Sequence, residues 1–366
     1  MKYTITILMC FVSFSIYSQT KLKPGFDPEE YRTLIEITDR TVDSSDYTQG
    51  IPYPFNCQRV FRSDSVGLNN RWDLWIRDDS VAIISIRGTI MRANSWSENF
   101  YASMSPATGF VNLGNNNLFS YKLAKNKKAA VHSGWLIGLA YIAPSIVEKI
   151  NEYYLKGYKD FIILGHSQGG ALSYYVTAYL NYLDYGIIPS DVKFKTYSSA
   201  PPKPGNLFFS YDYDFMTRGG WSLRVYNSED WVPQTPISVQ TLNDFAPINP
   251  YAERDTMVKN MNLIDRIIFG YITSKVKNSL DDSKDILKNY MGKEIFSASI
   301  SKFLPQLSEP AMADDMYYYP CGVPVVLLAG EDYFEFLKTH PQPSYLFENH
   351  LTEPYYYLLN KIYFEN

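Results

Sequence analysis

Short, almost wholly apolar runs punctuate this chain, and most of the stretches between them carry helical periodicity. VAIISI (81–86), FIIL (161–164) and VPVVLL (323–328) have the length and texture of strands buried in a parallel sheet. VKFKTYSSA (192–200) and SLRVYN (222–227) read as two more strands, joined by the Pro-rich PPKPGN. Upstream, RVFRSD and RWDLWIRDD precede VAIISI, and the Asp78–Asp79 break predicts a hairpin feeding that strand.

Helices are expected where apolar residues recur every three to four positions. FDPEEYRTLIEITDR begins with a capping Asp27, with Pro28 at the first helical position and Tyr31, Leu34, Ile35 and Ile37 on one face. VHSGWLIGLAYIAPSIVEKINEYYLKG predicts a long helix interrupted near Pro144, ALSYYVTAYLNYL follows FIIL directly, and EPYYYLLNKIYFEN would close the fold. Strands alternating with helices imply an α/β domain with a mostly parallel central sheet and helices on both faces. Two stretches depart from the alternation. Residues 90–130 look irregular and are long enough for an active-site lid. Residues 243–316 read as a helical insertion before the last strand.

Composition narrows the setting. With 366 residues and 46% hydrophobic positions, the chain can build a large core. Its formal charge of −4 and the lack of a long Lys/Arg run argue against nucleic acid as a partner. The first 19 residues pair Lys2 with an apolar stretch from Ile5 to Ile16 and then small or polar residues, the pattern of a cleaved signal peptide. The mature chain, 20–366, would then be secreted or periplasmic, without a transmembrane segment; the apolar stretch is shorter than the ~20 residues a span needs. Cys57 and Cys321 could pair there, or stay as two free thiols. No metal-ligand spacing appears, so no metal or other cofactor is expected.

The candidate chemistry centres on GHSQGG (165–170), which stands between FIIL and a helix. Gly-x-Ser-x-Gly is short enough to arise by chance, so its context decides. A serine presented on a strained strand-to-helix turn needs small neighbours two residues away, and Gly165 and Gly169, flanking His166 and Gln168, meet that demand. The Gln168 N–H, at the start of the helix, is the natural first oxyanion donor; Thr89, after the strand 81–88, is placed to be the second. An acid should follow at a later strand end. Asp230, in YNSEDWVP, fits, with Glu229 as its neighbouring competitor. Of the four histidines only His340 and His350 come after Asp230, and His350, at the start of HLTEPYYYLL, is preferred as base.

Taken together, SIRGT (85–89), SWSENF (95–100), VHSGW (131–135), GHSQGG (165–170), TYSSAPPKPGN (196–206), NSEDWVP (227–233) and ENHLTEPYY (348–356) resemble, in order, the class 3, fungal-type lipases of the α/β-hydrolase fold. The resemblance implies Ser167 as nucleophile, Asp230 as acid, His350 as base, and Thr89 and Gln168 as oxyanion donors. It also implies a lid after the RGT-like motif, where Trp96 and Phe100 fall; ordinary core packing is the other reading of those aromatics. His132 and Arg87 match family motifs and are expected to be structural. Two departures stand out: Gln168 occupies a position where the family usually has Leu, and the stretch between Asp230 and His350 is unusually long.

The expected function is a secreted serine hydrolase of carboxylic esters, acylglycerols foremost, working through an acyl-enzyme on a lipid or other ester substrate, at a lipid–water interface when the substrate is aggregated. Esters of phospholipids or polysaccharides are the alternatives within the same chemistry. A non-catalytic lipid- or glycan-binding protein on a hydrolase scaffold is the alternative of another class, in keeping with 32 tyrosines and 6 tryptophans.

Overall fold

The computed structural model of the protein describes residues 20–43, 48, 50–251 and 262–365. The expected signal peptide, 1–19, lies outside these residues.

Seven strands form one sheet and follow each other in space as they do in the chain: β1 (Cys57–Arg62), β2 (Trp72–Arg77), β3 (Ala82–Ile86), β4 (Asp160–His166), β5 (Lys193–Ser199), β6 (Ser222–Asn227) and β7 (Val323–Leu327). The first three pair antiparallel, with β2 and β3 joined through the Asp78–Asp79 turn, and β3 to β7 are parallel. FIIL lies in β4 near the middle, with Ile163 opposite Ile84 on one side and Thr196 on the other.

Alternation along the strands splits the core into two layers. Ala82, Ile84, Phe161 and Ile163 face a cluster shared with α3 (Ser133–Leu155) and α4 (Gln168–Tyr182). Ile83, Ile162, Leu164, Leu223 and Val225 face another, shared with α1 (Pro28–Asp39) and the closing helix α8 (Thr352–Tyr363). Asp27 caps α1 by accepting from the Glu29 and Glu30 N–H groups, and Tyr31, Leu34, Ile35 and Ile37 are buried.

Several local expectations are corrected. The 90–130 segment is not irregular: it holds α2 (Ala93–Phe100) and a hairpin of Thr108–Asn112 with Leu118–Lys122. A small second sheet also gathers Met104–Pro106, Ala130–His132, Gly205–Asn206 and Tyr318–Tyr319. These strands are too short to show a period. α3 runs through Pro144 without a break, held by a buried face from Trp135 to Ile150. Between β5 and β6 the chain forms α5 (Leu207–Met216) as well as the Pro-rich link.

β7 is the sheet's edge: only Leu327 is buried, so its apolar run reflects pairing and not a two-sided core. Within 243–316, α6 (Leu263–Lys288) continues into helical turns as far as Phe303. α7 (Glu331–Thr339) lies between β7 and α8.

Candidate active site

β4 delivers Ser167 to the C-terminal edge of the sheet, where α4 begins. Ser167 has φ +60° and ψ −128°, a left-sided backbone conformation costly for any residue with a Cβ. The turn is so tight that a Cβ on Gly165 would lie 1.9 Å from the Gly169 carbonyl oxygen. One on Gly169 would lie 2.2 Å from that of Ile86. The strain is held by the Ser167 N–H, which donates to the Ser199 carbonyl at 3.0 Å.

Three expected residues converge. His350 Nε2 is 2.8 Å from Ser167 Oγ, and His350 Nδ1 is 2.7 Å from Asp230 Oδ2. Asp230 and His350 are both buried. The Asp230 carboxylate has two further donors, the Val232 N–H at 2.9 Å and the Tyr355 hydroxyl at 2.7 Å. Burial lifts the Tyr355 phenol well above its usual range, so it stays protonated and donates. Glu229, the competitor, points elsewhere, its side chain accepting from the Ser228 hydroxyl at 3.4 Å. His340 is exposed, bonded to Thr339 and stacked on Phe336.

His166 projects away from the serine hydroxyl, as expected, and takes a part that the sequence did not suggest. Its Nε2–H donates to the His350 carbonyl at 2.7 Å, and its Nδ1 accepts from Ser199 Oγ at 2.9 Å; that hydroxyl also meets Tyr31 at 2.6 Å. Burial, with His350 beside it, pushes the His166 pKa down to about 3, which keeps the ring neutral with one donor and one acceptor.

The residues around the expected oxyanion donors form a second network. Asn99 Nδ2 donates to Thr89 Oγ1 at 2.8 Å, and the next N–H, of Ile90, donates to Ser95 Oγ at 3.2 Å. Ser95 Oγ in turn reaches Gln168 Oε1 at 3.5 Å. Beside Gln168 lies Glu98, fully buried, with Oε1 accepting from Asn70 at 3.0 Å and with its pKa pushed up to about 8 by burial. Gly138 of α3 makes room for it, since a Cβ there would stand 2.3 Å from Glu98 Oε1. Nothing in SWSENF marked Glu98 as buried: an acid in a short helix reads as solvated.

His132 and Arg87 are structural. His132 accepts from the Trp135 N–H, stacks on the Trp135 ring at 3.7 Å and reaches the Asn99 carbonyl; Arg87 donates to the Asn69 carbonyl at 2.7 Å. Trp96 and Phe100 stack at 5.8 Å on α2. Trp96 also meets Phe347 at 5.7 Å, and Phe347 touches both Trp231 and the His350 ring. Phe347 was missed because a lone aromatic in a loop carries no pattern. Cys57 and Cys321 are both buried and free.

Residues 83–240 match the family model of class 3 lipases. Over that segment the chain is similar to the class 3 lipases. The match supports a carboxylic ester hydrolase of the lipase type. No curated protein matches it. Among solved structures it is similar to a triacylglycerol lipase from Penicillium expansum, with 15% identity, TM-score 0.39, and 57% of this chain and 71% of that one covered. It is similar too to lipase II from Rhizopus niveus, with 20% identity, TM-score 0.37, and 57% and 74% covered. The α6 helix lies outside the segment that the class 3 lipase model matches.

Proposed function

We propose that this protein is a class 3 lipase, an exported serine hydrolase that cleaves carboxylic esters, acylglycerols foremost, through an acyl-enzyme on Ser167. The observation that carries the reading is the continuous line from Ser167 Oγ to His350 Nε2 at 2.8 Å and from His350 Nδ1 to Asp230 Oδ2 at 2.7 Å.

In this mechanism Ser167 Oγ attacks the ester carbonyl carbon while His350 Nε2 takes its proton. Asp230 holds the His350 Nδ1–H and stabilises the imidazolium; the Tyr355 hydroxyl and the Val232 N–H keep the carboxylate in place. Negative charge on the former carbonyl oxygen is met by the N–H groups of Thr89 and Gln168, aided by the positive end of α4. The tetrahedral species collapses as His350 gives its proton to the leaving alkoxide, which departs as the alcohol. Water then repeats the sequence and frees the carboxylic acid. Trp96 and Phe100 belong to the lid in this reading, resting on Phe347 above His350.

The test is Ser167→Ala, assayed on a short-chain nitrophenyl ester alongside fluorophosphonate labelling. Wild-type protein should turn over and label, and the folded variant should do neither. Retained turnover in the variant would overturn the assignment of Ser167. A folded wild-type protein that neither labels nor turns over would favour the binding-protein reading.

A further inference from the structure

The N-terminal part of α6 presents an apolar face that stands exposed among the described residues. Leu263, Ile264, Ile267, Ile268, Tyr271 and Ile272 are each between 52% and 73% exposed. At about 100° of rotation per residue they sweep an arc of about 180°. The opposite side of the same turns, carrying Phe269, Thr273 and Lys277, borders a hollow shared with Leu242, Pro250 and Tyr251. The helix therefore packs on the protein through its mixed side and turns its apolar side outward, the reverse of a core-packing helix.

The far end of α6 is anchored. Lys284, buried, donates to Asp314 at 2.9 Å, and Lys288 pairs with the same carboxylate; just beyond, the Met291 carbonyl accepts from the Ser103 N–H. The apolar half is thus carried on a fixed stem.

We infer that this face of α6 is a docking surface for a lipid–water interface, which it enters to bring the protein onto aggregated substrate. The inference rests on the ester-hydrolase reading above. Two features favour lipid over a second copy of the chain. The arc is wider than the seam that one partner helix covers, whereas a lipid surface covers a broad face at once. The one acid in these turns, Asp265, sits at the edge of the arc and is bonded back to Asn262, while Lys275 follows within the arc, its ammonium over the Tyr271 ring at 5.7 Å, placed to reach headgroups with its stem in apolar contact.

The experiment compares full-length protein with an Ile264→Asn/Ile268→Asn double variant by co-sedimentation with phosphatidylcholine vesicles, with and without phosphatidylglycerol. Turnover of the soluble short-chain ester is measured on the same samples. Two apolar side chains lost from the face should weaken vesicle binding at least about tenfold, with soluble-ester turnover unchanged. Lys275→Glu should lower binding mainly to the anionic vesicles. Wild-type protein that turns over soluble ester yet does not bind vesicles overturns the inference while leaving the hydrolase reading intact. A concentration-dependent dimer that the double variant abolishes, without vesicle binding, assigns the face to a second copy. Absence of turnover by the wild type would instead count against the hydrolase reading.

Discussion

Glu98 offers the sharpest quantitative test. It is fully buried against Gly138 of α3, with the amides of Asn70 and Gln168 as its polar neighbours, and burial raises its pKa from the usual 4.5 to about 8. Between those two values the folded chain holds a proton that the unfolded chain has released. Stability from this group is therefore fully present below pH 4.5 and is lost as pH rises through about 8. At about 1.4 kcal/mol for each tenfold change in proton affinity, the loss across the window is at most about 5 kcal/mol. Glu98→Gln keeps the shape and removes the proton. Urea unfolding of both proteins at pH 5 and pH 8 should show the wild type losing several kcal/mol relative to the variant, while pH-dependent effects from His132 and His166 cancel in the comparison. If the two proteins change in parallel between those pH values, Glu98 is not held as a buried acid and the reasoning fails.

Two further outcomes follow from the elbow and its surroundings. Gly165→Ala places a methyl 1.9 Å from the Gly169 carbonyl oxygen, so a loss of at least about 3 kcal/mol is expected in thermal or urea unfolding; wild-type stability would mean that the turn is looser than it stands. His166→Ala removes the donor to the His350 carbonyl and frees the loop that carries the base. On the soluble ester kcat should fall about 10–100-fold with KM nearly unchanged, because a small displacement of the base costs rate and not binding; an unaltered kcat would assign His166 to packing alone.

What could be read from the sequence had a local cause. Gly165 and Gly169 are demanded by a turn spanning five residues, and Asp27 caps a helix that starts at the next residue, so both are visible in a short window. The order of Ser167, Asp230 and His350 was legible because strand ends alternate with helices along the chain. Glu98, Tyr355 and the His166 contact to His350 were not. Each depends on a partner far along the chain: Asn70 and Gln168 for Glu98, Asp230 for Tyr355, the His350 carbonyl for His166. The second sheet escaped for a different reason, since strands of two or three residues are defined by their partners and not by any period of their own.

Gln168 shows how such a distant partner changes the meaning of a local departure. Seen within GHSQGG, a polar residue at a position that the family usually fills with Leu suggests a more polar pocket wall. In the fold its carboxamide is buried, facing Ser95 and Glu98 of α2 and not an open pocket. A leucine there would take the acceptor from the Ser95 hydroxyl and remove a polar group from beside the buried carboxyl. The Ser95–Gln168 contact thus links α2 to the start of α4, with Glu98 buried beside it. The same residue whose N–H is proposed to hold the oxyanion therefore ties down the helix that carries Trp96 and Phe100. Any movement of α2 away from α4 has to break the Ser95–Gln168 contact and open the pocket in which the Glu98 carboxyl is buried.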